Sequence, residues 1–252
     1  LLKLAAIPGV YVPAFYEVEY NPDYTIKSMR PLYHGVPERV RKRVVANLDA
    51  AYYPDKPIVP YMNIVHDRAV LEVMRGCQRG CRFCHAGMVY RPLRERSRET
   101  LLRQAAGQLK NTGYEEISLA SLSTLDYSGV NCLVRDLVSE YGEKGIGVSL
   151  PSLRVDAFSI DLANEVQKVR KTTLTLAPEA GSQRMRDIIN KNVSEEQMLQ
   201  AAEAAFKSGW LSLKLYFMFG LPFETEEDLD GIMALLQQVK NVGDRNSRRP
   251  VE

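Results

Sequence analysis

From about residue 61 to residue 243, short apolar runs alternate with segments that carry helix start and stop signals. The apolar runs are continuous rather than alternating, which is typical of parallel strands buried on both faces. Five of these runs are predicted strands: Val70–Met74, Glu116–Ala120, Gly147–Leu150, Thr172–Ala177 and Leu211–Phe219. Strand–helix alternation predicts a parallel α/β sheet with right-handed crossovers, so ligands are expected at the carboxyl ends of the strands.

Three of the predicted helices have clear ends. They run from Ser97 to Gly113, from Ser194 to Gly209 and from Thr225 to Gly243. Each begins at a serine or threonine, whose side chain can accept from the free N–H groups of a first turn. Each ends at a glycine, which readily takes up the left-handed conformation of a helix end.

Residues 1–60 differ from the rest because they are rich in proline and tyrosine. One helix is predicted there, from Pro37 to Ala51, since proline is favoured in a first helical turn. We interpret residues 1–60 as a linker or wrapping segment with little core of its own, and residues 61–252 as the main domain.

The bulk properties exclude several classes of protein. The chain has 252 residues, of which 45% are hydrophobic, and this is enough for one large domain with a core. A net charge of +2 creates no overall electrostatic field that would attract nucleic acid or a membrane surface. No apolar run approaches the length of a membrane span. Three of the four cysteines are clustered, which indicates a reducing compartment and predicts a cytoplasmic protein.

Cys77, Cys81 and Cys84 form a C-x3-C-x2-C motif directly after the first predicted strand. Three thiolates at this spacing can hold three corners of a cubane iron–sulfur cluster and leave the fourth iron open, whereas a structural cluster is normally closed by four cysteines. A zinc site and a set of unrelated buried thiols are the alternatives. Zinc favours a second ligand pair downstream, where the sequence has Cys132 alone. The motif therefore favours an open cluster.

The residues around these cysteines suit a cluster. Arg75, Arg79 and Arg82 are expected to offset its negative charge, and Phe83 is expected to shield it from water. A wider run of eight arginines, from Arg75 to Arg103, would also suit a polyanion such as RNA. Because the run lacks interleaved stacking aromatics, we interpret it as a solvated surface.

The cysteine motif and two later segments resemble the radical S-adenosylmethionine (radical SAM) superfamily. Leu176–Arg184 is similar to the superfamily's segment after the fourth strand, and Phe219–Thr225 to the segment after the fifth. A subgroup with tRNA-modifying and tetrapyrrole-modifying members shares these segments. The strings Glu72–Cys77 and Ala86–Pro92 resemble a narrower group of uncharacterised radical enzymes, in which a cobalamin-binding domain precedes the barrel.

The resemblance implies a partial (β/α) barrel of the radical SAM type, with about five to six parallel strands and outer helices. Since residues 61–252 supply five predicted strands, this core is expected to be truncated before its last strand. The implied cofactors are a [4Fe–4S] cluster on the three cysteines, SAM on the open iron, and a cobalamin held by a domain upstream of Leu1. An electron from a donor such as flavodoxin or ferredoxin would cleave SAM to methionine and a 5′-deoxyadenosyl radical, which takes hydrogen from a substrate.

The resemblance also implies contacts for SAM. Ser121 and Ser123 replace a Gly-Gly-Glu segment that holds the methionyl amine, so they would act through hydroxyl or backbone groups. Glu179 is expected to accept from the amine or the ribose, and Arg154 to pair with the SAM carboxylate. Gly220 belongs to the cofactor-binding segment after the fifth strand. The alternative for Glu179 and Arg154 is a solvated position on the surface.

The function implied by the resemblance is that of a radical SAM enzyme. Its substrate is left open between RNA and a tetrapyrrole-like small molecule, and no membrane partner is expected. The alternative is a non-catalytic iron–sulfur or zinc module with a structural or RNA-binding role. Methylthiolation is disfavoured because it normally needs a second cluster, and Cys132 is the one cysteine left to bind it.

Overall fold

The computed structural model describes residues 1–62, 64–150, 174–247 and 251. The chain divides into two units, Leu1–Ala46 and Asn47–Glu252. No helix in the described part of the chain combines the length and the apolar character needed to cross a bilayer.

The first unit is built on a two-stranded antiparallel sheet, in which β1 (Tyr16–Tyr20) pairs with β2 (Ile26–Pro31). A single helical turn, α1 (Leu2–Ala5), precedes the sheet. The buried side chains of this unit form one small cluster: Ala5, Phe15, Tyr16 and Val36.

The helix predicted from Pro37 to Ala51 is wrong, because these residues are irregular in the structure. The stretch from Arg39 to Arg43 places four basic side chains within five residues, and like charges on neighbouring turns destabilise a helix. Val44 and Val45 follow, and β-branched side chains lose rotamer freedom in a helix. The proline signal at Pro37 was therefore too weak to decide the conformation.

The second unit carries the βα alternation. Its elements in chain order are β3 (Ala69–Glu72), β4 (Met74–Arg75), α2 (His85–Val89), β5 (Arg94–Glu95), α3 (Arg98–Thr112), β6 (Glu116–Ala120), α4 (Val130–Tyr141), β7 (Gly147–Ser149), β8 (Leu174–Glu179), α5 (Gln183–Ile188), α6 (Glu195–Lys207), β9 (Leu213–Phe217) and α7 (Glu226–Asn246).

The parallel strands form two sheets in the described residues. The first has the order β3-β6-β7, and the second pairs β8 with β9. The parallel βα architecture is therefore as predicted, and a strand occurs at each of the five predicted positions, with its ends in the described residues within two residues of the prediction. The carboxyl ends of β3, β6, β8 and β9 lead directly into the cysteine motif and the segments around Ser121, Glu179 and Gly220.

Alternating side chains of the strands are buried against the helices. In the first sheet, Leu71 of β3 and Leu119 of β6 are completely buried in a core with Leu101 of α3. In the second, Leu176 of β8 packs in a cluster with residues of α6 and α7 such as Ala202. Burial of these faces fixes the register, because a slip of one residue would turn every apolar side chain to the opposite face.

The helix starts are confirmed. Ser97 accepts from the backbone of Thr100, and Ser194 and Thr225 each form a capping box with the residue three positions on. The predicted end at Gly243 is wrong, since α7 continues to Asn246. At Gly243 a Cβ atom would lie 2.9 Å from the ring of Phe206, so this glycine allows two helices to approach closely.

Candidate functional site

The three cysteines lie in a loop whose base is closed by a short antiparallel ladder. Met74 and Arg75 of β4 pair with Glu95 and Arg94 of β5. The loop therefore leaves and returns at one point, just beyond the carboxyl end of β3.

An ion triad reinforces this base. Both carboxylate oxygens of Glu72 accept from Arg75 at 2.8 Å, and Arg96 approaches the same carboxylate at 3.4 Å. The hydrogen bond from Arg75 is the main reason that the pKa of Glu72 lies below its ordinary value. Arg96 is almost completely buried and also donates to the backbone oxygens of Glu72 and Leu48. Two cations thus share one carboxylate at the foot of the cysteine loop.

Two glycines permit the path of the loop. Gly76 has a φ of +95°, and a Cβ atom there would lie 2.8 Å from the backbone oxygens of Tyr90 and Pro92. Gly80 has a φ of +82°. Both conformations are accessible to glycine at little steric cost.

The thiols of this loop are free. Cys81 is buried, Cys77 and Cys84 are half-buried, and none forms a disulfide. The Sγ atom of Cys84 accepts from the backbone N–H of Gly87 at 3.3 Å. Three soft sulfur donors on one braced loop suit an iron–sulfur cluster with one iron left open.

The described residues contain no group of three His, Cys, Asp or Glu side chains close enough to hold a single metal ion. A zinc ion needs all its sulfur ligands at about 2.3 Å from one centre. A cubane differs, because each thiolate binds a separate iron.

The flanking arginines also brace the cysteine loop, and their expected role in offsetting cluster charge stays a prediction. Arg75 pairs with Glu72, and the Nε atom of Arg79 donates to Asp126 at 2.8 Å. Arg82 donates to backbone oxygens at the end of α5. Two of the three positive charges are thus balanced by carboxylates of the protein.

Asp126 connects the cysteine loop with the loop after β6. Its carboxylate is nearly buried and accepts from Arg79 and, at 2.7 Å, from the hydroxyl of Ser123. The hydroxyl of Ser121 lies 3.0 Å from that of Thr124 and accepts from the backbone N–H of Ser123. Both predicted site residues therefore have protein partners for their hydroxyls, and Ser121 also contributes to the wall of a cavity.

Replacing Asp126 by asparagine should loosen the cysteine loop, because an amide cannot accept both bonds of the Arg79 guanidinium. Hydrogen bonds to charged groups contribute about 2 kcal/mol, so amide hydrogen exchange across residues 77–84 should accelerate about 30-fold. Asp136→Asn is the matched control, since its pair with Arg98 is more exposed and should contribute less than about 0.5 kcal/mol. Equal exchange rates in wild type and Asp126→Asn would show that the hydrogen bonds of Asp126 do not stabilise the cysteine loop.

The turn after α5, in the part of the chain that follows β8, is hydrogen-bonded to the cysteine loop. The backbone N–H of Arg82 donates to the oxygen of Ile189 at 2.9 Å, and the side-chain amide of Asn190 donates to the oxygen of Gly80 at 2.9 Å. These bonds bring the cysteine loop next to the segment that follows β8.

Glu179 lies at the end of β8, beside the cysteine loop. Its φ is +71°, a left-handed conformation at an irregularity in the pairing with β9. The Oε1 atom of its mostly buried carboxylate lies 3.0 Å from the Nζ atom of Lys191. Lys191 in turn lies 6.0 Å from the ring centroid of Phe83. The side chain of Lys191 thus links Glu179 to Phe83 of the cysteine loop.

The residues just after Glu179 are fastened to the first turn of α7. Asp228 accepts from Ser182, Arg184 and the backbone N–H of Thr225. These hydrogen bonds, that from Arg184 first, hold the pKa of Asp228 well below its ordinary range. At Gly181 the backbone of this segment approaches α7 so closely that a Cβ atom would lie 2.2 Å from the nitrogen of Ile232.

Gly220 lies in the loop after β9. Its φ is +78°, and its backbone N–H donates to Glu224 at 2.6 Å. The residues that follow line a largely apolar cavity of about 550 Å³, together with the cysteine loop and the end of α5. Its walls are Arg82, Phe83, Ile188, Ile189, Leu221, Pro222 and Phe223.

A second cavity, of about 460 Å³, lies at the carboxyl ends of β3 and β6. Gly76 and Tyr90 of the cysteine loop form one wall, and Ala120, Ser121 and Leu122 form another. Both cavities are within the size range of small-molecule sites, and both border the loop that carries the thiols.

Of the predicted site residues, Arg154 lies outside the described residues. Asp126 and Lys191 were missed by the sequence reasoning, although they link the predicted residues to one another. For Lys191 a local signal exists, since Asn190 and Asn192 flank it and asparagine tolerates left-handed backbone. For Asp126 nothing local indicates its partner 47 residues away.

Comparison with known proteins places this geometry in context. The profile of the radical SAM superfamily matches residues 71–236. An uncharacterized protein of Methanocaldococcus jannaschii is 37% identical over 68% of this chain and 37% of its own length. The ribosomal protein uS12 methylthiotransferase RimO of Pelotomaculum thermopropionicum is 25% identical over 77% of this chain and 44% of its own. The chain therefore spans less than half of these two relatives.

Among solved structures, the apo form of the cobalamin-dependent S-adenosylmethionine radical enzyme OxsB is similar to this chain. The TM-score is 0.62 at 16% sequence identity, over 90% of this chain and 33% of the other. At that identity the likeness concerns the fold.

Proposed function

We propose that this chain, which belongs to the radical SAM superfamily, is an enzyme core that holds a [4Fe–4S] cluster on Cys77, Cys81 and Cys84 and binds SAM. One observation carries the proposal. Three free thiols share a loop that follows β3 and is fastened by Asp126 in the segment after β6 and by Asn190 in the turn after α5, and ligands of α/β proteins bind beyond the carboxyl ends of such strands. We also propose that the two sheets belong to one partial barrel of about five to six strands.

The two cavities support a place for SAM on either side of the cysteine loop. The cavity beside Ser121 is the more polar of the two and suits the methionyl end. The apolar cavity bounded by Phe83 and the loop after Gly220 suits the adenosyl end. Glu179 pairs with Lys191, which lies beside Phe83 of the apolar cavity, and we propose that its carboxylate accepts from the amine or a ribose hydroxyl.

When bound, the cluster supplies the electron that cleaves SAM to methionine and a 5′-deoxyadenosyl radical. The residues of this chain perform the remaining work. The three thiolates bind iron, Asp126 and Asn190 hold the loop in place, and Phe83 and Leu221 limit access of water. Exclusion of water protects a reactive species from side reactions.

The whole protein's substrate and partners belong to this proposal as well. We retain an electron donor of the flavodoxin or ferredoxin type, and a substrate that is either RNA or a tetrapyrrole-like small molecule. The cobalamin named for OxsB supports a cobalamin partner for this chain as a proposal of the same kind.

Anaerobic reconstitution of the wild-type chain tests the proposal directly. We expect about four irons and about four sulfides per chain, and an absorbance band at about 400 nm. Addition of dithionite and SAM should then release 5′-deoxyadenosine and methionine in equal amounts. Zinc without iron, or a cluster that never cleaves SAM, would instead favour the non-catalytic module.

A further inference from the structure

Lys191 is a buried cation to which neither the sequence nor the proposed function assigns a role. Its side chain is 9% exposed, and it lies in the turn that docks on the cysteine loop. The residues on both sides, Asn190 and Asn192, have left-handed φ values of 54° and 52°. Asparagine tolerates this conformation, so the turn can form on both sides of Lys191.

The neighbours of the Lys191 ammonium belong to the two parts of the proposed SAM site. Glu179 lies at 3.0 Å and ends β8, while the Phe83 ring lies at 6.0 Å and forms a wall of the apolar cavity. A buried ammonium needs a carboxylate partner and polarises the face of a nearby ring. One side chain thus contacts both the strand that carries the acid and the loop that carries the thiols.

We propose that Lys191 is a positioning residue, which orients the Glu179 carboxylate and the Phe83 ring for SAM. This inference rests on the proposed function, because it concerns the same site. The turn itself has other supports, since the buried Arg186 donates to the backbone oxygens of Ala180, Gly181 and Val193. Removal of the ammonium should therefore alter the orientation of Glu179 without dismantling the turn.

The test compares Lys191→Met, which keeps the length and apolar body of the side chain, with Lys191→Arg, which restores a cation. After reconstitution, SAM affinity is measured by calorimetry and iron content is measured separately. Lys191→Met should keep its iron and bind SAM about tenfold more weakly. Lys191→Arg should recover most of that loss. Lys207→Met is the matched control, because Lys207 pairs with Glu203 on an exposed helix surface.

Glu179→Gln and the double variant Glu179→Gln/Lys191→Met show whether the two residues act together. If Lys191 acts through Glu179, the double variant should bind SAM no more weakly than Glu179→Gln alone. In the cluster-free protein, urea titration should show Lys191→Met less stable than wild type. The double variant should recover part of that loss, since it buries no uncompensated carboxylate.

The outcomes separate the two proposals. Wild-type protein that binds iron but not SAM would overturn the proposed function. Wild-type binding of SAM together with unchanged affinity in Lys191→Met would overturn the role of Lys191 and leave the proposed function standing. A loss of iron in Lys191→Met would show that the residue serves the cysteine loop as a whole, which would equally overturn the positioning role.

Discussion

Replacing Cys77, Cys81 or Cys84 singly by alanine should abolish the iron–sulfur cluster and, with it, the release of 5′-deoxyadenosine. Each thiolate would bind a separate iron, so the loss of one would leave a second iron of the cluster without a protein ligand. Iron and sulfide analysis after anaerobic reconstitution measures the first effect, and chromatography of the SAM products measures the second.

Cys132→Ala is the matched control for these variants. Cys132 is exposed on α4 and outside the cysteine loop, so its removal should leave iron content and SAM cleavage unchanged. Full iron content and activity in any variant of the three loop cysteines would contradict the ligand assignment. The same result in Cys132→Ala alone would support it.

Gly181→Ala should strongly destabilise the second unit. The added methyl carbon would lie 2.2 Å from the nitrogen of Ile232 and 2.5 Å from the carbonyl carbon of Gly231. Both are backbone atoms of α7, so the helix or the segment after β8 has to shift. Overpacking of this kind costs about 3 kcal/mol, which urea titration would show as a lower midpoint at an unchanged slope.

Gly107→Ala provides the comparison for this substitution. Gly107 lies inside α3, and a methyl carbon there would make an ordinary contact with the side chain of Asp55 at 3.5 Å. Because alanine is the better helix former, this variant should be as stable as wild type or more stable by up to about 1 kcal/mol. Similar urea midpoints for Gly181→Ala and wild type would mean that α7 can move away from residue 181 without loss of stability.

What the sequence predicts well here is encoded within a few residues. The caps at Ser97 and Ser194 depend on the next three residues, and the structure confirms both. The parallel strands follow from their continuous apolar runs. By contrast, the helix predicted at Pro37 and the helix end at Gly243 failed. In the first case neighbouring charges outweighed the proline, and in the second a contact with Phe206 required the glycine.

The site shows the same division. The cysteine spacing is a local pattern, and sequence reasoning found it. The partners of Arg79 and Arg82 lie 47 or more residues away, so the bonds of these arginines to Asp126 and to the end of α5 could be learned only from the tertiary structure. Lys191 contacts Glu179 across 12 positions and Phe83 across a still longer separation, and no local periodicity encodes such a contact.

The ladder between β4 and β5 has a thermodynamic consequence for assembly. It encloses the 18 residues from Gly76 to Leu93, and closing a free loop of that length costs about 2.6 kcal/mol in chain entropy. The hydrogen bonds of the ladder and the ion pairs at Glu72 offset this cost within the polypeptide. They therefore reduce the chain entropy that ligand binding at the three thiols would otherwise have to offset.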